Sequence, residues 1–441
     1  MSEVRPGYKQ TEVGVIPEDW ETPSLGELFS FKNGLNKAKT YFGYGTPIIN
    51  YMDVYKKPGL FCQDIFGRVT VNRAELDSYD VKKGDVFFTR TSETVEEVGI
   101  SSVMLDELSD TVFSGFILRA RSKDLRIVDQ YKKYCFSSIV FRKQIIANST
   151  YTTRALTNGK VLSLVALPLP PTIAEQTAIA EVLSDTDALI QKLDQLIAKK
   201  RNIKQGTMQE LLTGKRRLTG FGGIEKGMQA RFKQTDVGVI PEDWNPTEVS
   251  ILGQLKGGGT PSMAIQYFWK NGVIPWVSSG DVKAQYIFST AKMITEEAVK
   301  KSSTNLLPKG SILFVTRSGI LRKYFPVALN MVSVAINQDI KALIPKDSFA
   351  AEYLMYAFIV RGPQILSTCM KSGTTVESVE YNWLKKFRIP LPPTLAEQIA
   401  IASVLSDMDD EIAALEQKRD KYKAIKQGMM QELLTGKTRL V

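Results

Sequence analysis

The chain says almost the same thing twice. Residues 8–20 read YKQTEVGVIPEDW and residues 232–244 read FKQTDVGVIPEDW. The stretch 168–218, PLPPTIAEQTAIAEVLSD through IKQGTMQELLTGKRRL, returns at 390–440 as PLPPTLAEQIAIASVLSD through IKQGMMQELLTGKTRL. These two stretches match at roughly two positions in three, and both offsets are close to half of the 441 residues, so the chain is a tandem of two similar halves. Between the matching ends, segments 25–167 and 245–389 share only phrases such as KGDVFFTRTS (83–92) and KGSILFVTRSG (309–319). A frame kept twice around contents that differ implies that the contents face two different things. Faster drift of surface-rich segments is the alternative.

The frame stretches read as long helices. Pro170 and Pro171 block helix upstream, Thr172 is a good N-cap, and Glu175 three residues on makes a capping box that recurs as Thr394 and Glu397. Apolar residues then recur at alternating three and four spacing. The first copy offers Leu183, Ile190, Leu193, Ile197, Ile203 and Leu211, and the second Leu405, Met408, Ile412, Leu415, Tyr422, Ile425, Met429 and Leu433. A 3.5-residue period sustained this long predicts a coiled-coil seam, with Gly214 and Gly436 as stops. Packing of each helix on its own domain fits the same pattern; two matched helices in one chain favour pairing with each other.

The contents read as mixed α+β domains, mostly strand. Asp85–Arg90 and Ser311–Arg317 are apolar strands, punctuated elsewhere by turn residues such as Thr46-Pro47 and Gly257–Gly259. Helices are expected at 130–147 and 350–366, with Pro363 stopping or kinking the latter, and 219–231 is the natural hinge.

Composition narrows the chemistry. The chain has no histidine, which removes the commonest general base and metal ligand and excludes zinc hydrolases, histidine-based nucleases and Ser-His-Asp triads. A formal net charge of +10 points toward polyanionic partners. Cys62, Cys135 and Cys369, odd in number and far apart, read as buried small apolar residues of a reduced protein. The polar start MSEVRPGYKQ and the lack of any apolar stretch near ~18 residues predict a soluble, cytoplasmic chain without membrane contact.

No catalytic motif survives inspection. Gly436-Lys437-Thr438 follows a helix and has Gln431 where a phosphate-binding loop needs glycine, and Gly257–Gly259 lacks a dinucleotide fingerprint. The Pro-Pro pairs are helix leaders, not the Asp/Asn-Pro-Pro-aromatic motif of amino-methyltransferases. The acidic clusters Glu93, Glu96, Glu97 and Asp407, Asp409, Asp410 read as solvated faces, and no metal site is expected.

What remains is recognition chemistry. Arg90, Thr91 and Ser92, and likewise Arg317 and Ser318, follow apolar strands and suit a guanine edge or a phosphate; surface pairing is the plain alternative. Thr152, Thr153, Arg154 and Lys160, and in the corresponding place Lys371, Ser372, Thr374 and Thr375, mix hydroxyls and positive charge before each frame helix, a mixture suited to a DNA backbone or groove. Ser278 and Ser279 join them as candidate DNA contacts. Lys385, Lys386 and Arg388 add phosphate contacts or merely flank a strand.

GVIPEDW twice, LPPT-x-AEQ-x-AIA-x-VLSD twice, QELLTGK twice, and GGGTPS followed by IPWVSSGDV (274–282) make the chain resemble the specificity subunit of type I restriction-modification systems along essentially its whole length. The resemblance implies two mostly β target-recognition domains, each reading half of a split double-stranded DNA site, separated by two long helices in an antiparallel coiled coil. It implies a noncatalytic targeting subunit, docking two methyltransferase subunits and, in the full complex, restriction subunits. S-adenosylmethionine, ATP and Mg then belong to those partners, and no cofactor to this chain. The corresponding division is an arm at 1–24, recognition domains at 25–167 and 245–389, helical regions at 168–218 and 390–441, and a linker with the repeated arm at 219–244. A stand-alone sequence-specific or architectural DNA-binding protein is the competing reading.

Overall fold

The computed structural model describes residues 4–151, 154–222, 231–371 and 376–440. The chain forms two compact units, residues 1–195 with 416–441 and residues 196–415. Neither unit is a plain half of the sequence. Each takes one recognition segment together with part of both long helices.

In the first unit a five-stranded sheet is built from β1 (Phe29–Asn33), β2 (Gly59–Leu60), β3 (Val86–Thr89), β4 (Ser101–Met104) and β5 (Ile117–Ser122), in the order β1-β5-β3-β4-β2. In the second unit β6 (Gly253–Gly257), β7 (Tyr286–Ile287), β8 (Ile312–Val315), β9 (Val327–Asn330) and β10 (Ile340–Pro345) take the order β6-β10-β8-β9-β7. Strand for strand the senses agree: antiparallel throughout, except the parallel pairs β2–β4 and β7–β9. Contents that share only phrases in sequence thus share one scaffold. The reason lies in the central strands, where Val86–Thr89 and Ile312–Val315 are buried at every position and so must be apolar on both faces.

Helices pack against each sheet, and one of them breaks where the sequence predicts continuity. The expected helix at 130–147 is two helices, Asp129–Cys135 and Ile139–Asn148, because Ser138 caps the second through Phe141 N at 3.2 Å. The bend lets Phe136 meet Phe88 and Phe141 with ring centroids 5.2 and 5.3 Å apart. Its counterpart Ala351–Cys369 continues past Pro363, so that proline is no stop; packing of nine buried residues along this helix outweighs one lost backbone hydrogen bond.

The long helices span Ile173–Leu212 and Leu395–Leu433, 40 and 39 residues, each about 60 Å at ~1.5 Å per residue. In the first unit Asp187 meets Lys426 at 2.6 Å and Asp194 meets Arg419 at 3.4 Å, so residue numbers rise on one helix as they fall on the other. In the second unit Lys200 meets Glu411 at 2.6 Å and Lys204 meets Asp409, again antiparallel. Leu183, Leu193, Ile197, Leu211, Leu405, Ile412 and Leu433 are buried, while Ile190, Met408, Leu415, Tyr422 and Met429 are half-buried. Two seam expectations fail. Ile203 and Ile425 are 45% and 41% exposed, and the inward positions belong to Lys204 and Lys426. A helix of 3.6 residues per turn drifts from a 3.5 period, so one step of the seam falls a residue late, on a lysine whose carbon chain fills the groove.

Other local expectations change too. Thr172 and Thr394 do cap, accepting from Glu175 N at 3.1 Å and Glu397 N at 3.2 Å, but the glutamate side chains turn to arginines instead of completing a capping box. Gly214 and Gly436 sit just past the helix ends at φ +70° and +69°, left-handed positions that glycine alone takes without strain. Cys62 is exposed, not buried, with its thiol against Glu107 O at 3.4 Å. Most of the expected hinge, residues 223–230, lies outside the described residues.

Candidate nucleic-acid interface

Whatever the recognition domains touch, their aim is set by how they join the long helices. Tyr134 gives its hydroxyl to Asp187 Oδ2 at 2.9 Å, Lys426 bonds Asp187 Oδ1 at 2.6 Å, and the Lys426 ammonium lies 5.5 Å from the Tyr134 ring centre. The second unit repeats the node: Tyr356 bonds Asp409 Oδ2 at 2.8 Å, Lys204 bonds Asp409 Oδ1, and its ammonium lies 5.3 Å from the Tyr356 ring. Burial first, and then Asp187 for Tyr134 and both Tyr286 and Asp409 for Tyr356, push the two phenols well above the ordinary tyrosine range, so each stays a hydrogen-bond donor. One carboxylate thereby ties a recognition-domain helix to both long helices. Asp409 is no solvated acid, contrary to the sequence reading.

A second node closes each unit. Arg439 bonds Glu175 and, at 2.9 and 3.0 Å, both oxygens of Asp19, over the ring of the fully buried Trp20. Arg217 does the same with Glu397 and Asp243 over Trp244. Hydrogen bonds donated to Glu175 and Asp19 raise the Arg439 guanidinium above its ordinary value, and Arg439 holds the Asp19 carboxyl below its own. Burial pushes the Glu397 carboxyl up. A Cβ on Gly436 would lie 2.5 Å from Pro17, and one on Gly214 2.4 Å from Pro241, so GVIPEDW and LLTGK recur together because they touch.

Gln176 and Gln398, almost fully buried, complete the junction. Gln176 accepts from Val128 N at 2.9 Å and Gln398 from Ala350 N at 3.0 Å, each at the start of a recognition-domain helix. None of these node residues was singled out as functional from sequence. A signal is present nonetheless: all of them are polar or aromatic residues that recur in the second half, most within the repeated stretches and Tyr134 as Tyr356 inside the divergent segments.

The candidate contact residues scatter more. Arg90 and Arg317 do not occupy equivalent positions: Val86 and Ile312 correspond in the two sheets, which sets Arg90 opposite Thr316 and Arg317 opposite Thr91. Neighbours on a strand point to opposite faces, and the two arginines differ accordingly. Arg90 turns inward onto Gly115 O at 2.9 Å with its Nε buried, a structural role. Arg317 is outward, its side chain 59% exposed, with Nε on Asp339 at 2.7 Å.

Thr91, Ser92 and Arg154 come together around one cleft, with Ser92 Oγ donating to Glu97 at 3.2 Å. Glu97 is thus also engaged, not a solvated acid. Lys160, in the helix Gly159–Ser163, lies outside the residues lining that cleft. Ser278 donates to Asp281 at 2.6 Å, Ser279 is half-buried beside it, and Ser318 Oγ caps the short helix Gly319–Arg322 through Ile320 N at 3.4 Å. Lys371 is exposed, its N–H on Ser378 O at 2.8 Å. Thr152, Thr153, Ser372, Thr374 and Thr375 lie outside the described residues. Arg388 opens the strand Arg388–Leu391, and Lys385 stacks 4.4 Å from the Tyr381 ring centre, so both have local partners. Among the described residues no cluster of His, Cys, Asp or Glu fits a metal ion, and no helix is long and apolar enough to cross a membrane.

The family described as "Type I restriction modification DNA specificity domain" matches the sequence twice, over residues 17–200 and 241–425. The specificity subunit of the Escherichia coli type I restriction enzyme EcoR124I/EcoR124II is 42% identical over 158 residues, which are 36% of this chain and 39% of that protein. The chain therefore spans about two fifths of that relative's length. The specificity subunit of the enzyme MjaVIII from Methanocaldococcus jannaschii is 22% identical over 444 residues, 96% of this chain and 94% of that one. In fold, the crystal structure of the type I system S subunit from M. genitalium superposes with a TM-score of 0.54 at 13% identity, over 98% of this chain and 97% of that one.

Proposed function

Because the chain belongs to the type I restriction-modification DNA specificity family, we propose that it is the targeting subunit of a DNA methyltransferase and restriction complex. In this reading each recognition domain reads one half of a split double-stranded DNA site. The helix pair sets the unread gap and docks two copies of a modification subunit, one per frame. The subunit itself is noncatalytic. S-adenosylmethionine serves the modification subunits, and ATP with Mg the restriction subunits; this chain's part is to aim them.

The observation that carries the reading is the duplication of the junction. Tyr134, Asp187 and Lys426 recur as Tyr356, Asp409 and Lys204, so two recognition domains of different surface chemistry are mounted on the helices in the same way. A repeated mount with changed contents suits one protein reading two unlike sequences for two identical partners.

The test is to express the full chain with its modification subunit and map methylated adenines in the host genome. The expected pattern is two short sequences at a fixed separation. Asp194 and Arg419 face each other, so adding four residues after Asp194 and four before Arg419 lengthens both helices by ~6 Å, and the gap should grow by about one or two base pairs. Methylation that stays unpatterned overturns the targeting reading. An unchanged gap in a lengthened, active complex means that the partners, not the helices, set the spacing.

A further inference from the structure

The cleft of the first recognition domain has a volume of about 390 Å³ and opens beside Thr91 and Ser92, where the strand Ala155–Leu156 pairs with the sheet extension. Its walls bring together Tyr55, Ser92, Glu93, Glu97, Phe116 and Arg154. Glu97 is fixed: Tyr55 donates to one carboxylate oxygen at 2.8 Å and Ser92 to the other at 3.2 Å. Glu93 and Arg154 are exposed, and among the described residues neither makes a hydrogen bond or an ion pair. Phe116 stands 67% exposed at the rim.

A carboxylate on a DNA-binding face is repelled by phosphate, so its use there is as an acceptor for a base. In the major groove the donors are the exocyclic amino groups of cytosine and adenine, while an arginine fork matches guanine O6 and N7. A cleft that offers an unpaired carboxylate and an unpaired guanidinium together has the complement of one G·C pair, donor and acceptors both. The second domain differs at the corresponding end of its sheet. There Arg317 and Arg322 are neutralised by Asp339 and Glu377.

We propose that this cleft is where the first recognition domain reads a G·C base pair, Glu93 accepting from cytosine N4 and Arg154 donating to guanine, with Glu97 and Tyr55 shaping the floor. The proposal rests on the reading of the chain as a DNA-targeting subunit. Glu93→Gln and Arg154→Gln, both surface changes, are made in the full chain, assembled with its modification subunit, and used to select from a duplex library randomised across both half-sites. Each variant should lose about 10- to 100-fold preference at the same G·C position of one half-site, and the intact second half-site reports that the protein is folded and assembled. Unaltered preference at every position overturns the proposal, as does a uniform loss of affinity with a flatter salt dependence, which would make Arg154 a phosphate contact. If the wild-type complex selects no sequence at all, the targeting reading fails first and this site with it.

Discussion

Arg439 and Glu175 stand 264 residues apart in sequence and are joined by two hydrogen bonds, one of them 2.8 Å long from Nη2 to Oε2. The Glu175 side chain is only 1% exposed, so the ion pair joins the end of one long helix to the start of the other. Arg217 and Glu397 make the same link in the second unit. Each link thus runs from the far end of one frame copy to the first turn of the other.

Removing the arginine leaves a buried carboxylate unanswered. Arg439→Ala should cost about 3 kcal/mol in urea unfolding of the full chain, and Arg439→Met with Glu175→Met should recover most of it, because neither charge is then buried. A loss under about 0.5 kcal/mol for the single change would show that water replaces the partner.

Acid should reach the same node through Asp19, whose carboxyl Arg439 holds below its ordinary 3.8. A depressed native value means stability that is present above about pH 4 and fades as pH falls through that lower value. Carboxyl NMR titration should place Asp19 low in the wild type and near ordinary in Arg439→Ala. An equal value in both would remove the arginine as the cause.

Seam and surface separate by one residue. Ile203→Ser should leave stability within about 0.5 kcal/mol, since the side chain is 45% exposed, whereas Ile197→Ala, at 2% exposure, should cost about 2–4 kcal/mol. Similar costs for the two would restore Ile203 to the seam.

Gly206 and Gly428 occupy helix interiors with open space where a Cβ would stand. Glycine there costs roughly 0.5–1 kcal/mol relative to alanine, so Gly206→Ala and Gly428→Ala should each raise the stability of the isolated chain by that amount. Assembly with the modification subunit, measured alongside, should weaken if a partner backbone approaches these positions. A destabilised isolated chain would contradict the open surroundings.

By itself the sequence determined the tandem organisation, the two long helices with their caps and glycine stops, and the family. These follow from short-range rules: a repeat is visible as text, a capping threonine acts within one turn, and helical periodicity needs no partner to be seen. Tertiary structure alone decided that Lys204 and Lys426 displace Ile203 and Ile425, that Glu175 answers Arg439 instead of its own cap, and that the two divergent segments each build a sheet of the same strand order. It also decided that Arg90 is internal while Arg317 faces out. Each of these depends on a partner distant in sequence or on a strand's phase, where one residue of slip reverses the face, and a linear pattern carries no record of which face meets which neighbour.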